Sequence, residues 1–144
     1  MEFKAFNLIG NIAIVNFPKN TEKRDKLKFA NKILRHHKRV KTVVEKIGKV
    51  KGRLRKQETR HIAGEKTKEA LYRENNCVFR FNIDKTYFSS RLSNERKEIS
   101  KMIKNRDNVF VMFAGVAPFS IVIAKNSKAG IVYSNEINKE ANKY

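Results

Sequence analysis

Apolar residues recur along this chain with two different periods, and the switches between them mark out its elements. Residues 9–17 (Ile-Gly-Asn-Ile-Ala-Ile-Val-Asn-Phe) read as a strand closed by Pro18. Thr21 can cap a helix with Glu22 and Asp25 in its first turn. Leu27, Ala30, Ile33 and Leu34 form its apolar stripe, Lys and Arg fill the other face, and His36-His37 end it. Residues 40–44 are β-branched and predict a second strand. Residues 47–55 hold two glycines and read as a turn with extended chain, and residues 60–65 as another short extended piece. Residues 70–74 and 77–83 flank Asn75-Asn76, the pattern of a hairpin. Residues 84–90 read as a turn into a short strand. Ser93 can cap a further helix whose buried stripe is Ile99, Met102 and Ile103.

The densest pattern spans residues 109–136. Residues 109–113 are continuously apolar, which predicts a strand buried on both faces. Ala114-Gly115-Val116-Ala117 is a turn of small residues, 119–125 a helix, and Ile131-Val132-Tyr133 a second strand with Glu136 just past its end. That is the first half of a nucleotide-binding βαβ unit. Small residues let the backbone approach a ligand, and a carboxylate about 20 residues on accepts hydrogen bonds from ribose hydroxyls. Residues 138–144 look like the first turns of a following helix. Two parallel strands leave apolar faces uncovered, so a whole nucleotide-binding domain is not expected within this chain. The fold class is α/β: a small basic α+β domain over 1–92, then the first β-α-β of a nucleotide-binding domain over 93–144.

Charge adds a partner to this picture. The chain of 144 residues carries a net charge of +19, and residues 19–60 hold 17 Lys/Arg against 4 Asp/Glu. The βαβ stretch is nearly neutral. A polyanion is the simplest partner, nucleic acid before a membrane surface. No segment has the apolar length of a spanning helix, and the N-terminus lacks a signal-peptide pattern, so a cytoplasmic location is the default. Cys77 is the only cysteine, which excludes an intrachain disulfide and a Cys-rich metal site. It reads as a packed small residue. His36-His37 point in different directions on a helix, which favours a basic helix terminus over a pair of metal ligands.

Five strings in order carry a family resemblance: Val40-Lys41-Thr42-Val43; Gly48-Lys49-Val50-Lys51-Gly52-Arg53-Leu54-Arg55; His61-Ile62-Ala63-Gly64-Glu65; the run from Asp84-Lys85-Thr86-Tyr87-Phe88-Ser89-Ser90 to Arg91-Leu92-Ser93-Asn94-Glu95-Arg96; and Met112-Phe113-Ala114-Gly115-Val116-Ala117-Pro118-Phe119-Ser120. Together the chain resembles the archaeal and eukaryotic tRNA guanine-N1-methyltransferases, Rossmann-like enzymes that modify the guanosine 3′ of the anticodon. The resemblance implies S-adenosyl-L-methionine as cofactor, tRNA as partner, and neither metal nor membrane. It implies that Arg55 stabilises charge on guanine O6, that Glu95 takes the N1 proton, and that Tyr87 positions cofactor and base. It implies a cofactor loop of Phe113, Ala114, Gly115, Val116 and Pro118, with Glu136 on the ribose.

The chemistry is consistent with those roles. Guanine N1 is protonated at neutral pH and a poor nucleophile, and its deprotonation spreads charge onto O6. A carboxylate near N1 and a guanidinium near O6 meet that need, once the base has left its stack. The chain departs from the family pattern in three ways. Val111 stands where an acid is usual, Ala117 where a glycine is, and the later strands with an Asn-Pro-Pro-Tyr-like motif are absent. The expectation is the N-terminal part of such an enzyme, or one completed by a second polypeptide. The alternatives are a wybutosine-pathway aminocarboxypropyl transferase and a non-catalytic tRNA-binding module.

Overall fold

The computed structural model describes residues 6–52, 54 and 56–144. Strands β1 (Phe6–Ile9) and β2 (Ile12–Val15), helix α1 (Lys23–His36) and strands β3 (Thr42–Lys51) and β4 (Lys56–Gly64) come first. They form one sheet in the order β1-β2-β3-β4, antiparallel except for the parallel pair β2–β3. A parallel pair needs a crossover, and α1 provides it.

β2 is the axis of the fold. Ile12 and Ile14 enter a core with Ala70, Phe79, Phe81 and Phe88. Ala13 and Val15 enter a second core with Ala30, Ile33, Val40 and Val43. Consecutive strand residues point to opposite faces, so four buried residues serve two cores.

The stretch 9–17 is not one strand. Gly10 turns it at φ +57°, and a Cβ there would lie 2.0 Å from the Leu71 carbonyl oxygen. The turn is thus pressed against β5 (Glu69–Glu74), the first arm of a hairpin with β6 (Cys77–Asn82). Asn11 completes the join: its Oδ1 accepts from the Leu71 N–H at 2.7 Å, and its Nδ2 donates to the Glu69 carbonyl at 3.4 Å. The hairpin turns on Asn75-Asn76, both at positive φ, as expected from their sequence. Thr21 does not cap α1. Its hydroxyl donates to the Pro18 carbonyl at 2.8 Å, and Glu22 holds the N-cap position.

After β6 the chain turns on Asn82, whose Oδ1 accepts from the N–H groups of Asp84 and Lys85. That side chain ties up the backbone, and a 3-10 turn (Ser90–Leu92) follows where a short strand was expected. Helix α2 (Ser93–Met102) then buries a face different from its expected stripe. Met102 is exposed, whereas Arg96 and Ser100 are buried. Ser93 lies inside the helix and not at its cap; its carbonyl accepts from Asn75 Nδ2 at 2.8 Å. Arg96 is buried because it finds a partner. Its Nη2 donates to Glu74 Oε2 at 2.7 Å and to the Ser89 carbonyl at 2.9 Å, while Nε donates to Glu74 Oε1.

Strand β7 (Asn108–Met112), helix α3 (Pro118–Asn126) and strand β8 (Ile131–Asn135) form a parallel βαβ unit. Val109, Val111, Val132 and Ser134 share one face by register, where the Ser134 hydroxyl bonds that of Ser120 on α3 at 2.6 Å. Phe110 and Met112, 59% and 62% exposed, lie on the opposite face with Ile131 and Tyr133. The expected burial on both faces is therefore not met: Val109, Val111 and Val132 are half-buried on the first face, and among the described residues nothing covers the other. Residues 138–144 close in a 3-10 turn (Ala141–Lys143) and not an α-helix. Ala141, Val116 and Val122 join the same core as Ile12 and Phe81, so elements on both sides of Leu92 share one apolar cluster. Among the described residues, no helix is long and apolar enough to cross a membrane.

Candidate nucleotide-binding cleft

At the carboxyl ends of β7 and β8 lies a cleft of about 620 Å³. This is where open α/β sheets bind ligands. Phe113 and Gly115 line it from the loop after β7, and Asn135, Glu136, Ile137 and Asn138 from the end of β8. Leu54 and Tyr87 close it from the other half of the chain.

The loop passes through three left-handed residues: Phe113 (φ +54°), Gly115 (+63°) and Ala117 (+56°). Glycine is at ease there, but each of the other two costs on the order of 1 kcal/mol. At Gly115 a Cβ would meet the Tyr87 carbonyl oxygen at 3.3 Å, so the two halves of the cleft approach each other at this backbone. The loop is anchored to the end of β8 by two successive N–H groups. Ala114 N–H donates to the Asn135 carbonyl at 2.9 Å, and Gly115 N–H to Glu136 Oε2 at 2.7 Å. Ala114, Val116 and Pro118 are buried and pack beneath the loop, with Pro118 opening α3, where its missing N–H costs nothing. Phe113 alone turns outward, 87% exposed at the rim.

The other oxygen of Glu136 accepts from the Asn138 N–H at 2.7 Å. Both oxygens are thus pinned by backbone donors, and each keeps a lone pair for a further donor. Asn138 was missed by sequence reasoning. It is buried, its Nδ2 donates to the Lys85 carbonyl at 2.9 Å, and its Oδ1 accepts from Glu140 N–H. The signal available was an asparagine two residues past a strand-end acid, the pattern of an Asx turn.

The sequence-derived residues separate into three groups. Tyr87, Phe113, Gly115 and Glu136 meet at the cleft. Ala114, Val116 and Pro118 support it from below. Glu95 is exposed in the first turn of α2 and is not among the lining residues, and Arg55 lies outside the described residues. Val111 also does not line the cleft. Tyr87 further borders a small cavity of about 70 Å³ with Gln57 and Phe81. Cys77 is buried, and burial raises its thiol pKa. Among the described residues, no three His, Cys, Asp or Glu side chains gather as metal ligands would.

Residues 70–144 match the TRM5/TYW2 methyltransferase domain. The chain belongs to that family. Residues 3–67 match the TYW2 N-terminal domain. A curated relative from Nanoarchaeum equitans, tRNA (guanine(37)-N(1))/4-demethylwyosine(37)-methyltransferase Taw22, is 44% identical over 97% of this chain and 46% of its own length. The crystal structure of Trm5b from Pyrococcus abyssi superposes with a TM-score of 0.85 at 41% identity, covering 99% of this chain and 42% of that one. Methanocaldococcus jannaschii Trm5 in complex with adenosine superposes with a TM-score of 0.78 at 30% identity, over 96% of this chain and 41% of that one. The chain spans about half the length of the curated relatives it matches.

Proposed function

We propose that this chain forms the cofactor-binding part of a tRNA guanine-N1-methyltransferase acting on the guanosine 3′ of the anticodon, with S-adenosyl-L-methionine as methyl donor. The observation that carries the reading is the Gly115 N–H···Glu136 bond across the mouth of the cleft. It brings a glycine turn and a fixed carboxylate together where a nucleoside sugar fits. A Cβ at Gly115 would crowd Tyr87, so the bare backbone is what a ligand meets. The homologue bound to adenosine supports the same ligand class.

Within this reading Glu136 accepts the ribose hydroxyls and Gly115 lets the cofactor lie against the backbone. Phe113 offers a ring face at the rim, and Ala114, Val116 and Pro118 hold the loop. Tyr87 orients cofactor and target base from the opposite wall. When bound, the cofactor's sulfonium supplies an activated methyl group. Glu95 serves as the base that takes the N1 proton, and Arg55 as the cation that stabilises the charge left on O6. The rest of a longer enzyme, or a second polypeptide, supplies further strands at the free edges of β7–β8 and cover for its open face. The setting is cytoplasmic, and a basic domain over 1–92 carries tRNA toward a cofactor domain over 93–144.

Calorimetric titration with S-adenosylmethionine tests the cleft, and methyl transfer to a tRNA transcript, with the product nucleoside weighed, tests the reaction. Glu136→Ala should weaken cofactor binding at least tenfold. Undisturbed binding in that variant would remove the basis of the proposal. The match of residues 3–67 to a TYW2 N-terminal domain favours a second reading, aminocarboxypropyl transfer from the same cofactor. The mass added to the tRNA decides between them.

A further inference from the structure

A second concavity lies on the α1 side of the sheet, opposite the face that packs on β5–β6. Two hollows of about 470 and 400 Å³ adjoin there and share Lys26, Glu45 and Arg60. Lys19, Lys23 and Lys46 complete their basic lining. The fold therefore gathers, from either side of the β2–β3 crossover, cations that stand up to about 40 residues apart in sequence. Lys19, Lys23, Lys46 and Arg60 form no ion pair with a described residue. Lys26 does: its Nζ lies 2.6 Å from Glu45 Oε1, with the two side chains 19% and 12% exposed.

We propose that this groove holds the sugar–phosphate backbone of RNA at a point apart from the methyl-transfer cleft, and that Glu45 restrains its grip by keeping Lys26. That the polyanion is RNA rests on the function proposed above; that the groove takes phosphates rests on its charge and shape. Lys19, Lys23 and Arg60 are exposed along the concavity and Lys46 is half-buried, so their charges are free to meet a phosphate ridge laid in it. Asn16, Asn20 and Thr21 add uncharged hydrogen-bonding groups to the lining. A membrane surface would instead call for an exposed apolar face beside the cations, and Leu27 is the one exposed large apolar residue in the lining.

Glu45 sits at the centre of this lining and is its single acid. While it holds Lys26, that lysine releases no counterion when RNA binds. Each phosphate contact contributes a slope of about 0.7–0.9 in log affinity against log salt, which is about sixfold in affinity at 0.1 M salt. Glu45→Gln frees Lys26, so affinity rises by about sixfold and the slope steepens by roughly one contact.

The test is fluorescence anisotropy of a labelled tRNA transcript with the full chain across a salt series. S-adenosylmethionine titration and thermal unfolding are run on every variant. Lys23→Gln with Arg60→Gln should lower affinity and flatten the slope by about two contacts, while cofactor binding stays at the wild-type level. Lys26→Met combined with Glu45→Gln should restore the wild-type slope and so separates charge from any loss of fold. Unchanged slopes in folded Lys23→Gln/Arg60→Gln and Glu45→Gln variants overturn the proposal, even where cofactor binding upholds the cleft. Slopes that move as stated in a chain that binds no cofactor uphold the groove and sink the cleft. Capture by phosphatidylserine vesicles that depends on Lys23 and Arg60, with RNA affinity indifferent to them, assigns the groove to membranes and also overturns it.

Discussion

The Arg96–Glu74 pair makes a stability prediction with two opposite outcomes. The side chains are 1% and 3% exposed, joined by two parallel contacts, with a third bond from Arg96 to the Ser89 carbonyl. The guanidinium also lies 5.2 Å from the ring centre of Phe88 and 5.5 Å from that of Phe119. Arg96→Met keeps much of the volume but leaves the Glu74 carboxylate buried and alone. Breaking a buried pair from one side costs about 3–5 kcal/mol. The lost ring contacts add on the order of 1 kcal/mol. At this chain length 1 kcal/mol moves Tm by roughly 3–5 °C, so a fall of about 12–30 °C is expected. Arg96→Met with Glu74→Leu removes both charges and leaves only the Ser89 carbonyl short of a donor, a cost of about 1–3 kcal/mol. The double variant should therefore recover most of the loss. Urea unfolding followed by circular dichroism measures all three proteins. A loss below about 1 kcal/mol in the single variant, or a double variant no better than the single, refutes the account of Arg96 as a paired core residue.

Three further outcomes follow from single positions. Ala117 sits at φ +56°, so Ala117→Gly should stabilise the chain by about 1 kcal/mol in the same unfolding assay; a destabilised variant contradicts the strain argument. Burial first, and then its bond to Glu69, push the Tyr144 phenol up to about 12 from an ordinary 10.0. A folded value above the unfolded one means that this contribution is intact below pH 10 and lost as pH rises through about 12. Tyrosinate absorbance should show this phenol titrating late, and Glu69→Gln should bring it earlier; a titration that Glu69→Gln leaves unmoved contradicts the assignment. Cys77, buried and with its thiol pKa raised, should react slowly with a disulfide reagent in the native chain and quickly in urea. Equal rates would mean that the hairpin is not packed on α3.

The βαβ unit was legible in sequence because its signals are local: an apolar run, a small-residue turn, a helix and an acid at a set distance. The hairpin at Asn75-Asn76 was legible for the same reason, since both residues tolerate positive φ. The break at Gly10 was not, because what demands glycine there is the Leu71 carbonyl, 61 residues away. The buried face of α2 was hidden by chemistry. A search for apolar spacing passes over Arg96, and only a partner on β5 makes its burial tolerable. Leu54 and Asn138 in the cleft wall likewise depend on contacts that no sequence window contains.

These contacts also separate binding from reaction. Loop 113–117 is held from within: by the Asn135 carbonyl, by the Glu136 carboxylate that the Asn138 N–H fixes in turn, and by the buried side chains of Ala114 and Val116. None of these bonds uses the open face of β7–β8, where Phe110, Met112, Ile131 and Tyr133 stand exposed. The cleft wall is therefore preorganised whatever covers that face. Preorganisation spares a ligand the cost of ordering its site, so cofactor affinity should survive in the chain alone. On the proposed function, transfer additionally calls for Glu95, Arg55 and a target base at one point, and Glu95 stands outside the cleft lining. Cofactor binding without methyl transfer is thus the outcome that this division of contacts leads to for residues 1–144, and supplying cover for the exposed face of β7–β8 is the change that should turn binding into turnover.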